Sequence, residues 1–393
     1  MKTRRHSLHR LAGAALAGLA LVGAAAARAD GGTVKIGVIL PMTGQQASTG
    51  REVEAGIRLW MAQHGNKAGG KTVEIVLRDD ATVPDTTRRL AQELVVNDKV
   101  AVLAGFGITP AAMATAPIAT KSQTPMVVMA AATSSITEAS PFIVRTSFTL
   151  PQVSVSIADW AAKNKIRKVV SLVSDYGPGN DAEKYFADRF TLDGGTVVEK
   201  LRTPLRSPDF APVLQKVRDD APDALFVFLP SGQGAQFMKQ FAERGLDKAG
   251  IRLIATGDVT DDDQLDQMGD VALGVVTAHH YSAAHPSAMN RKFVAAFEAA
   301  NKFRPNFMAV GGYDGMHLIY DALNATHGAG GQQLLDAMKG QVFESPRGPI
   351  LIDAQTRDIV QDVYIRRVER VKGQLYNVEF ETIASVKDPG KSK

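Results

Sequence analysis

Cysteine is absent from this chain of 393 residues. A protein without thiols has no disulfide framework, no thiolate nucleophile and no cysteine-ligated zinc site. The sequence also lacks the GxSxG turn of the serine hydrolases. The loop Gly105-Phe106-Gly107 lacks the third glycine of a dinucleotide-binding fingerprint. From these absences we expect a protein that is not an enzyme and that carries no cofactor.

Residues 1–29 have the features of a secretory signal peptide. An apolar run over residues 11–22 precedes an Ala-x-Ala cleavage site at residues 27–29. The run is too short to span a membrane convincingly, so the sequence predicts export. This segment holds five of the 45 Lys and Arg residues, which leaves 40 against 41 Asp and Glu in the mature chain. That near-neutral balance gives no reason to expect nucleic acid as a partner.

Strand-like and helix-like segments alternate from residue 33 onward. Strands separated by single helices predict right-handed crossovers and a parallel sheet. The pattern restarts after residues 149–151, so the mature chain of about 364 residues is expected to form two α/β lobes. The final strands are predicted to be antiparallel, and residues 387–393 are predicted to form a disordered end.

Two neighbouring loops of small and hydroxyl residues suggest where a ligand binds. A buried strand over residues 100–104 ends before Thr109 and Pro110, which read as the N-cap and first position of a helix. The next strand runs into residues 130–135, which are alanines followed by hydroxyl side chains. Hydroxyl groups and free backbone N–H groups at such strand ends favour an anion, most simply a carboxylate.

The order of several motifs resembles one known family. The segments KIGVILPMTG, EAGIRLW, RDDAT, LAGFGITPAA, TPMVVMAAATSSIT, SLVSDYGPG and GDVTDD are similar to those of the periplasmic leucine/isoleucine/valine-binding proteins. These are the type I extracellular solute-binding proteins of ABC transporters. The resemblance implies an α/β fold with two doubly wound parallel-sheet lobes, joined by three crossovers. It assigns residues 30–149 and 280–346 to lobe one, and residues 150–279 and 347–386 to lobe two.

The same resemblance implies a set of ligand-binding residues. Thr109 corresponds to the family's carboxylate-binding serine, and Ala131 and Thr133 correspond to the alanine and threonine of the second loop. Tyr176 corresponds to a tyrosine on the first loop of lobe two. Asp258 corresponds to the acid that receives the ligand ammonium, although it is one methylene shorter than the usual glutamate.

Two further positions of the proposed site depart from the family pattern. Ser231 stands near a position that is usually tyrosine, and Phe106 replaces a more polar residue. The favoured ligand is a branched-chain or related amino acid. The alternative is an aromatic carboxylate that stacks on Phe106, Tyr176, Tyr281 or Tyr313. The segment FESPRGPILIDAQTRDIVQDVYIRRV also resembles a branch of the family that contains binders of lignin-derived aromatic acids.

The resemblance implies the function and the partners as well. It predicts a monomeric periplasmic protein that captures its ligand by hinge closure and delivers it to an ABC permease in the inner membrane. A ligand-sensing receptor lobe is the less favoured alternative. No metal is expected at His279 and His280, because neighbouring residues of a strand face opposite sides of the sheet.

Overall fold

The computed structural model describes residues 32–391. The signal peptide predicted over residues 1–29 lies outside the described residues. The described chain folds into two α/β lobes, each built around one sheet. Between residues 32 and 391, none of the helices combines the length and the apolar character that crossing a bilayer requires.

Lobe one contains a six-stranded sheet with the order β2-β3-β1-β4-β5-β6. All neighbouring strands are parallel except the short hairpin pair β2 and β3. Helices α1 to α3 connect the strands, and α10 packs on α1. The elements of this lobe are β1 (Thr33–Leu40), α1 (Ala47–His64), β2 (Lys67–Ala68), β3 (Lys71–Asp79), α2 (Pro84–Val96), β4 (Val102–Gly105), α3 (Thr109–Ser122), β5 (Met126–Val128), β6 (Ile143–Arg145), α9 (Ala288–Asn301), α10 (Phe307–Ala325) and α11 (Gly331–Met338).

Lobe two contains a nine-stranded sheet. Strands β7 to β11 are mutually parallel, whereas β12 to β15 form antiparallel pairs and join β11 through β14. The elements are α4 (Leu150–Lys163), β7 (Lys168–Ser174), α5 (Gly177–Leu192), β8 (Thr196–Thr203), α6 (Ala211–Asp220), β9 (Ala224–Phe228), α7 (Gly234–Glu243), β10 (Arg252–Thr256), α8 (Leu265–Met268), β11 (Val276–His279), β12 (Val342–Ser345), β13 (Gly348–Ile352), β14 (Ile359–Val371) and β15 (Gln374–Val386).

Two details differ from what the sequence led us to expect. Strand β12 already pairs with β13, so the chain joins the second sheet before the boundary at residue 346. Residues 387–391 form an ordered end, because Asp388 accepts a hydrogen bond from the Ser134 hydroxyl at 2.6 Å and Lys391 pairs with the buried Asp358. The expectation of disorder from residue 387 is therefore corrected for these five residues.

Glycines allow the two longest helices of lobe one to lie in direct backbone contact. A Cβ atom on Gly56 of α1 would lie 2.0 Å from the Ala309 carbonyl oxygen of α10. A Cβ atom on Gly312 of α10 would in turn lie 2.3 Å from the Val53 carbonyl oxygen. Because real Cβ atoms do not approach this closely, larger residues would push the helices apart.

Residues 65–72, GNKAGGKT, match the spacing of a phosphate-binding loop. In the fold they follow α1 and lead into the hairpin of β2 and β3, so no helix begins after the motif. The Lys71 ammonium donates to the Gly328 carbonyl oxygen at 2.8 Å. The strand, loop and helix that hold a nucleotide phosphate are therefore missing around this motif.

Candidate functional site

A narrow cleft lies between the two lobes. Both lobes contribute to its wall, and the contributing residues mix aromatic rings, small apolar side chains and a few polar groups. They are Gln46, Thr49, Gly107, Ile108, Thr109, Ala130, Ala131, Ala132, Phe148, Leu150, Tyr176, Pro178, Phe228, Pro230, Ser231, Asp258 and Met308.

The loop after β4 brings the Thr109 hydroxyl to the cleft. Gly105 and Phe106 have positive φ angles of 104° and 68°, so the chain turns sharply before α3. The N-cap of α3 is Ile108 and Thr109 is the first residue of the helix, so the helix begins one residue earlier than the sequence indicated. Because the Thr109 side chain does not cap the helix, its hydroxyl oxygen is left to bond Thr133 Oγ1 at 2.8 Å.

The loop after β5 lies beside the first one, as the order of parallel strands predicted. The Ala131 N–H donates to the Phe106 carbonyl oxygen at 3.0 Å, which joins the two loops. The buried Arg145 guanidinium donates to the Ala131 and Thr133 carbonyl oxygens at 3.3 and 2.7 Å. Arg145 is itself paired with Asp358 at 2.6 Å. Charge-assisted hydrogen bonds of this kind fix the loop that carries Thr133.

Lobe two covers these loops with aromatic rings. Tyr176 stacks on Phe228, with 6.1 Å between ring centroids and 24° between ring planes. Burial raises the pKa of Tyr176, with a smaller contribution from Asp258, so the ring keeps its hydroxyl proton at neutral pH. A Cβ atom on Gly177 would lie 2.8 Å from Thr133 Oγ1, which places the start of α5 directly against lobe one.

Asp258 is the carboxylate in the wall of the cleft. It is buried, and its Oδ2 accepts a hydrogen bond from the Thr256 hydroxyl at 2.9 Å. Burial raises the pKa of Asp258 to about 7, although the Thr256 hydroxyl and the positive charge of Arg366 oppose that shift. A carboxyl group with this pKa can accept or donate a hydrogen bond near neutral pH.

Ser231 lines the cleft, but its hydroxyl is already engaged. It donates to Asp261 Oδ2, and the Gly232 N–H donates to the same oxygen at 3.1 Å. Burial raises the pKa of Asp261 well above its usual value, and Asp263 reinforces the shift. The Ser231 hydroxyl proton is therefore already used within lobe two.

Five of the seven residues predicted for the site line the cleft, namely Thr109, Ala131, Tyr176, Ser231 and Asp258. Thr133 is joined to them through its bond with Thr109. Phe106 instead has its side chain fully buried in the hydrophobic core of lobe one.

Sequence reasoning missed the aromatic wall formed by Phe148 and Phe228 and the contact made by Met308. Phe228 ends a buried strand, and Phe148 lies in the first crossover between the lobes. Their apolar side chains read as ordinary core residues in the sequence. The resemblance of the segment 343–368 to binders of aromatic acids was the signal that could have pointed to them.

The histidines of the second crossover lie behind the cleft. His280 stacks on Phe148 with 4.8 Å between ring centroids, and His279 packs edge-on against Phe307 at 4.3 Å. Burial lowers the pKa of both imidazoles well below the usual value, so both rings are neutral at pH 7. Residues 32–391 contain no group of three His, Cys, Asp or Glu side chains placed to hold a metal ion.

Comparisons with known proteins agree with this architecture. The sequence model of the periplasmic binding protein family matches residues 33–374. A protein of Brucella abortus (strain 2308) named Leu/Ile/Val-binding protein homolog 6 is 47% identical over 382 residues, which cover 96% of this chain and 98% of that protein.

Two solved structures are also similar. The solute-binding protein of an ABC transporter from Rhodopseudomonas palustris BisB5, in complex with 3,4-dihydroxybenzoic acid, is 62% identical with a TM-score of 0.91. The alignment covers 92% of this chain and 99% of that one. A second R. palustris solute-binding protein, in complex with 4-hydroxybenzoate, is 43% identical with a TM-score of 0.89. That alignment also covers 92% of this chain and 99% of the other. By sequence and by fold, this chain belongs to the family of periplasmic binding proteins.

Proposed function

We propose that this protein is the solute-binding component of an ABC transporter, and that its ligand is a small aromatic carboxylate. The observation that carries the proposal is the make-up of the cleft. Lobe one presents the Thr109 hydroxyl, which is bonded to Thr133, and aromatic rings and one buried carboxyl group face the same space. No covalent chemistry is needed, because binding and lobe closure complete the task.

The carboxylate of the ligand binds at the two loops of lobe one. The Thr109 and Thr133 hydroxyls bond to each other, so the pair has one hydroxyl proton left to donate to the carboxylate, and the backbone N–H groups at the start of α3 add partial positive charge. Pro110 has no N–H group, so the amides of the next residues in α3 are the available ones. These neutral donors suit a singly charged carboxylate.

The ring of the ligand packs between aromatic side chains. Tyr176 and Phe228 form a stacked pair on lobe two, and Phe148 contributes from the crossover. Offset or edge-on contacts between rings are worth about 0.5–1.5 kcal/mol beyond the burial of apolar area. Asp258 accepts a hydrogen bond from a ring hydroxyl, which favours hydroxybenzoates over benzoate itself. Two related R. palustris proteins hold hydroxylated benzoates, whereas a third, 29% identical to this chain, holds benzoate.

An amino acid is the second candidate, and Asp258 is the observation that favours it. A ligand ammonium beside this buried carboxylate would form a paired charge, which is how buried charges are tolerated. The name of the Brucella relative points to the same class. In this case ionised Asp258 is essential, whereas a ring hydroxyl needs only a hydrogen-bonding group at that position.

We also propose where the protein acts, in which oligomeric state and with which partner. The signal peptide over residues 1–29 directs export to the periplasm, and the mature protein acts as a monomer. The closed form is recognised by a permease in the inner membrane. Thr109, Ala131, Thr133, Tyr176, Ser231 and Asp258 form the ligand site, with Phe106 supporting the first loop from the core.

Isothermal titration calorimetry tests the ligand class. The mature protein, unfolded and refolded to remove co-purified ligand, is titrated with leucine, 4-hydroxybenzoate and 3,4-dihydroxybenzoate. We expect tight binding of at least one hydroxybenzoate and no binding of leucine. Binding of leucine alone would replace the aromatic proposal with the amino-acid one.

The Asp258→Asn variant distinguishes the two ligand classes further. An amide keeps the size and hydrogen-bonding capacity of the carboxyl group but removes its charge. We expect affinity for the hydroxybenzoate to change by less than tenfold. A loss of a hundredfold or more would show that the charge is required, as an ammonium ligand demands.

A further inference from the structure

Ser134 follows Thr133 directly and lies between two carboxylates from other parts of the chain. Its backbone N–H donates to Asp181 Oδ2 at 2.8 Å, and its hydroxyl donates to Asp388 Oδ2 at 2.6 Å. Ser134 and Asp388 are both buried. The residue next to the ligand-binding Thr133 is therefore fixed by two charge-assisted hydrogen bonds, which are stronger than neutral ones.

The two carboxylates come from different elements. Asp181 lies in the second turn of α5, the helix of lobe two that begins directly after Tyr176. Its bond to Ser134 therefore crosses between the lobes, beside the ligand cleft. Burial raises the pKa of Asp181, and the nearby charge of Asp388 adds to the shift.

Asp388 lies in the C-terminal segment, residues 387–391, and that segment is anchored independently of Ser134. The Lys391 ammonium pairs with the buried Asp358 and also contacts the Thr137 hydroxyl. The Gly390 N–H donates to Asp388 Oδ1 at 2.8 Å, which orients the carboxylate. Just before the segment, the Gln152 amide donates to the Val386 carbonyl oxygen at 2.8 Å.

The segment fills the space between the ligand loop and α5. A Cβ atom on Gly390 would lie 2.4 Å from the Ser134 hydroxyl oxygen and 2.9 Å from the Tyr185 hydroxyl oxygen. The chain therefore contacts lobe one and α5 at the same point. A side chain at position 390 would have to displace both hydroxyl groups.

We propose that the C-terminal segment is a clasp: Asp388 positions Ser134 so that its N–H bonds Asp181 of α5 when the lobes are closed, which holds the closed form around the ligand. Asp388 and Asp181 are positioning residues, because neither lines the cleft. The inference rests on the proposed function in one respect, namely that closure of the lobes retains a ligand.

The clasp has a kinetic consequence. The bond between Ser134 and Asp181 forms only when α5 lies against lobe one, so it stabilises the closed form and contributes nothing to the first encounter with the ligand. Loss of the clasp should therefore raise the dissociation rate constant koff and leave the association rate constant kon nearly unchanged. A hydrogen bond to a charged group predicts an increase in koff of about tenfold or more.

Stopped-flow measurements with 4-hydroxybenzoate test this on the full mature chain. We expect Asp388→Ala and Ser134→Ala each to raise koff about tenfold and to change kon by less than about twofold. The double variant should be no worse than either single one, because both remove the same bond. Asp388→Asn is the matched control, since its amide oxygen still accepts a hydrogen bond from the Ser134 hydroxyl but without the charge, so its koff should rise clearly less than that of Asp388→Ala.

Thermal unfolding of the unliganded variants separates positioning from folding. Without ligand, we expect Asp388→Ala and Asp388→Asn to have similar Tm values. Adding ligand should raise the Tm of Asp388→Ala by less than it raises that of Asp388→Asn. A koff equal to that of the wild type would overturn the proposal. So would an equal loss of unliganded Tm and of affinity in both variants.

A spin-label measurement distinguishes failure of the clasp from failure of the proposed function. Because the chain contains no cysteine, Val96→Cys on α2 and Leu192→Cys on α5 provide two unique and exposed labelling sites. If 4-hydroxybenzoate does not bind, the distance distribution of the unliganded protein still reports closure. We expect Asp181→Ala and Asp388→Ala to reduce the closed population, and unchanged distributions would refute the clasp.

Discussion

At the scale of single residues, the proposed carboxylate site can be tested at the Thr109 hydroxyl. It lies at the start of α3 and bonds Thr133 Oγ1 at 2.8 Å. We expect Thr109→Ala to weaken binding by roughly 1–3 kcal/mol, because the bound carboxylate loses one donor. Thr109→Ser keeps the hydroxyl and should bind within about threefold of the wild type. Calorimetry checks both, and an alanine variant that binds like wild type would remove Thr109 from the site.

Asp258 gives the cleft a measurable dependence on pH. Its pKa is raised from 3.8 to about 7 in the folded protein, so the unfolded chain loses this proton at lower pH than the folded one. The stabilising contribution of the protonated group is therefore complete below about pH 4, and it is lost as the pH rises through about 7. The cost at pH 7 and above is at most about 4 kcal/mol.

The Asp258→Asn variant isolates this effect, because asparagine does not titrate. We expect the free energy of unfolding of the variant, minus that of the wild type, to increase steadily between pH 4 and pH 7. Urea unfolding of the unliganded proteins at several pH values measures that difference. A constant difference across the range would mean that Asp258 titrates near its usual pKa.

At the scale of elements, the order of strands and helices could be predicted from the sequence, because alternating buried strands and single helices permit few topologies. The prediction that the loops after β4 and β5 meet was also correct, since the ends of adjacent parallel strands lie at one edge. The role of Thr109 as N-cap was wrong by one position. Pro110 is compatible with either of the first helical positions, so it did not fix where α3 begins.

Arg347 joins three elements at the point where the lobes meet. Its guanidinium pairs with Asp314 of α10 and donates to the Thr146 and Ser147 carbonyl oxygens of the first crossover at 2.6 and 3.0 Å. Both members of the ion pair are buried. We expect Asp314→Ala to lower the free energy of unfolding by about 3–5 kcal/mol, because it leaves a buried charge without its partner.

An exposed ion pair provides the control for that prediction. Lys184 and Asp188 lie one turn apart on α5 at 2.6 Å, with side chains 62% and 64% exposed. Asp188→Ala should change the free energy of unfolding by less than about 1 kcal/mol, since solvent screens such pairs. Urea unfolding of both variants measures the contrast, and similar losses would mean that Arg347 finds other partners or water.

At the scale of the whole molecule, the sequence could not predict contacts between distant segments. Residues 387–391 have the charged composition of a free end, yet Lys391 reaches Asp358 and Asp388 reaches Ser134. Phe148 and Phe228 come together in the cleft from different elements. Such pairings depend on how the two lobes pack, and no local pattern of polarity or spacing encodes them.

We expect Glu52 to couple closure of the two lobes to proton uptake. It lies on α1 of lobe one, and the Asn306 N–H donates to Glu52 Oε2 at 3.3 Å, while the Asn306 amide donates to Asp263 of lobe two at 3.1 Å. Burial raises the pKa of Glu52 well above its usual value, and Asp263 is the next cause, followed by Asp261 and Asp262. Closing the lobes therefore brings carboxyl groups together.

Because burial and the lobe-two carboxylates, Asp263 first, raise the pKa of Glu52, we expect closure to take up protons and affinity for a ligand to fall as the pH rises. Calorimetry at pH 7 in two buffers with different ionisation enthalpies measures this uptake directly. We expect Glu52→Gln to take up fewer protons and to bind with a weaker dependence on pH, because its amide needs no proton. Glu54→Gln serves as the control, because Glu54 lies on the same helix and pairs with Arg58. Its proton uptake and pH dependence should match those of the wild type. If both variants take up the same number of protons, the titrating group lies elsewhere. If only Glu52→Gln takes up fewer protons, the contact between the lobes is the proton-linked step of closure.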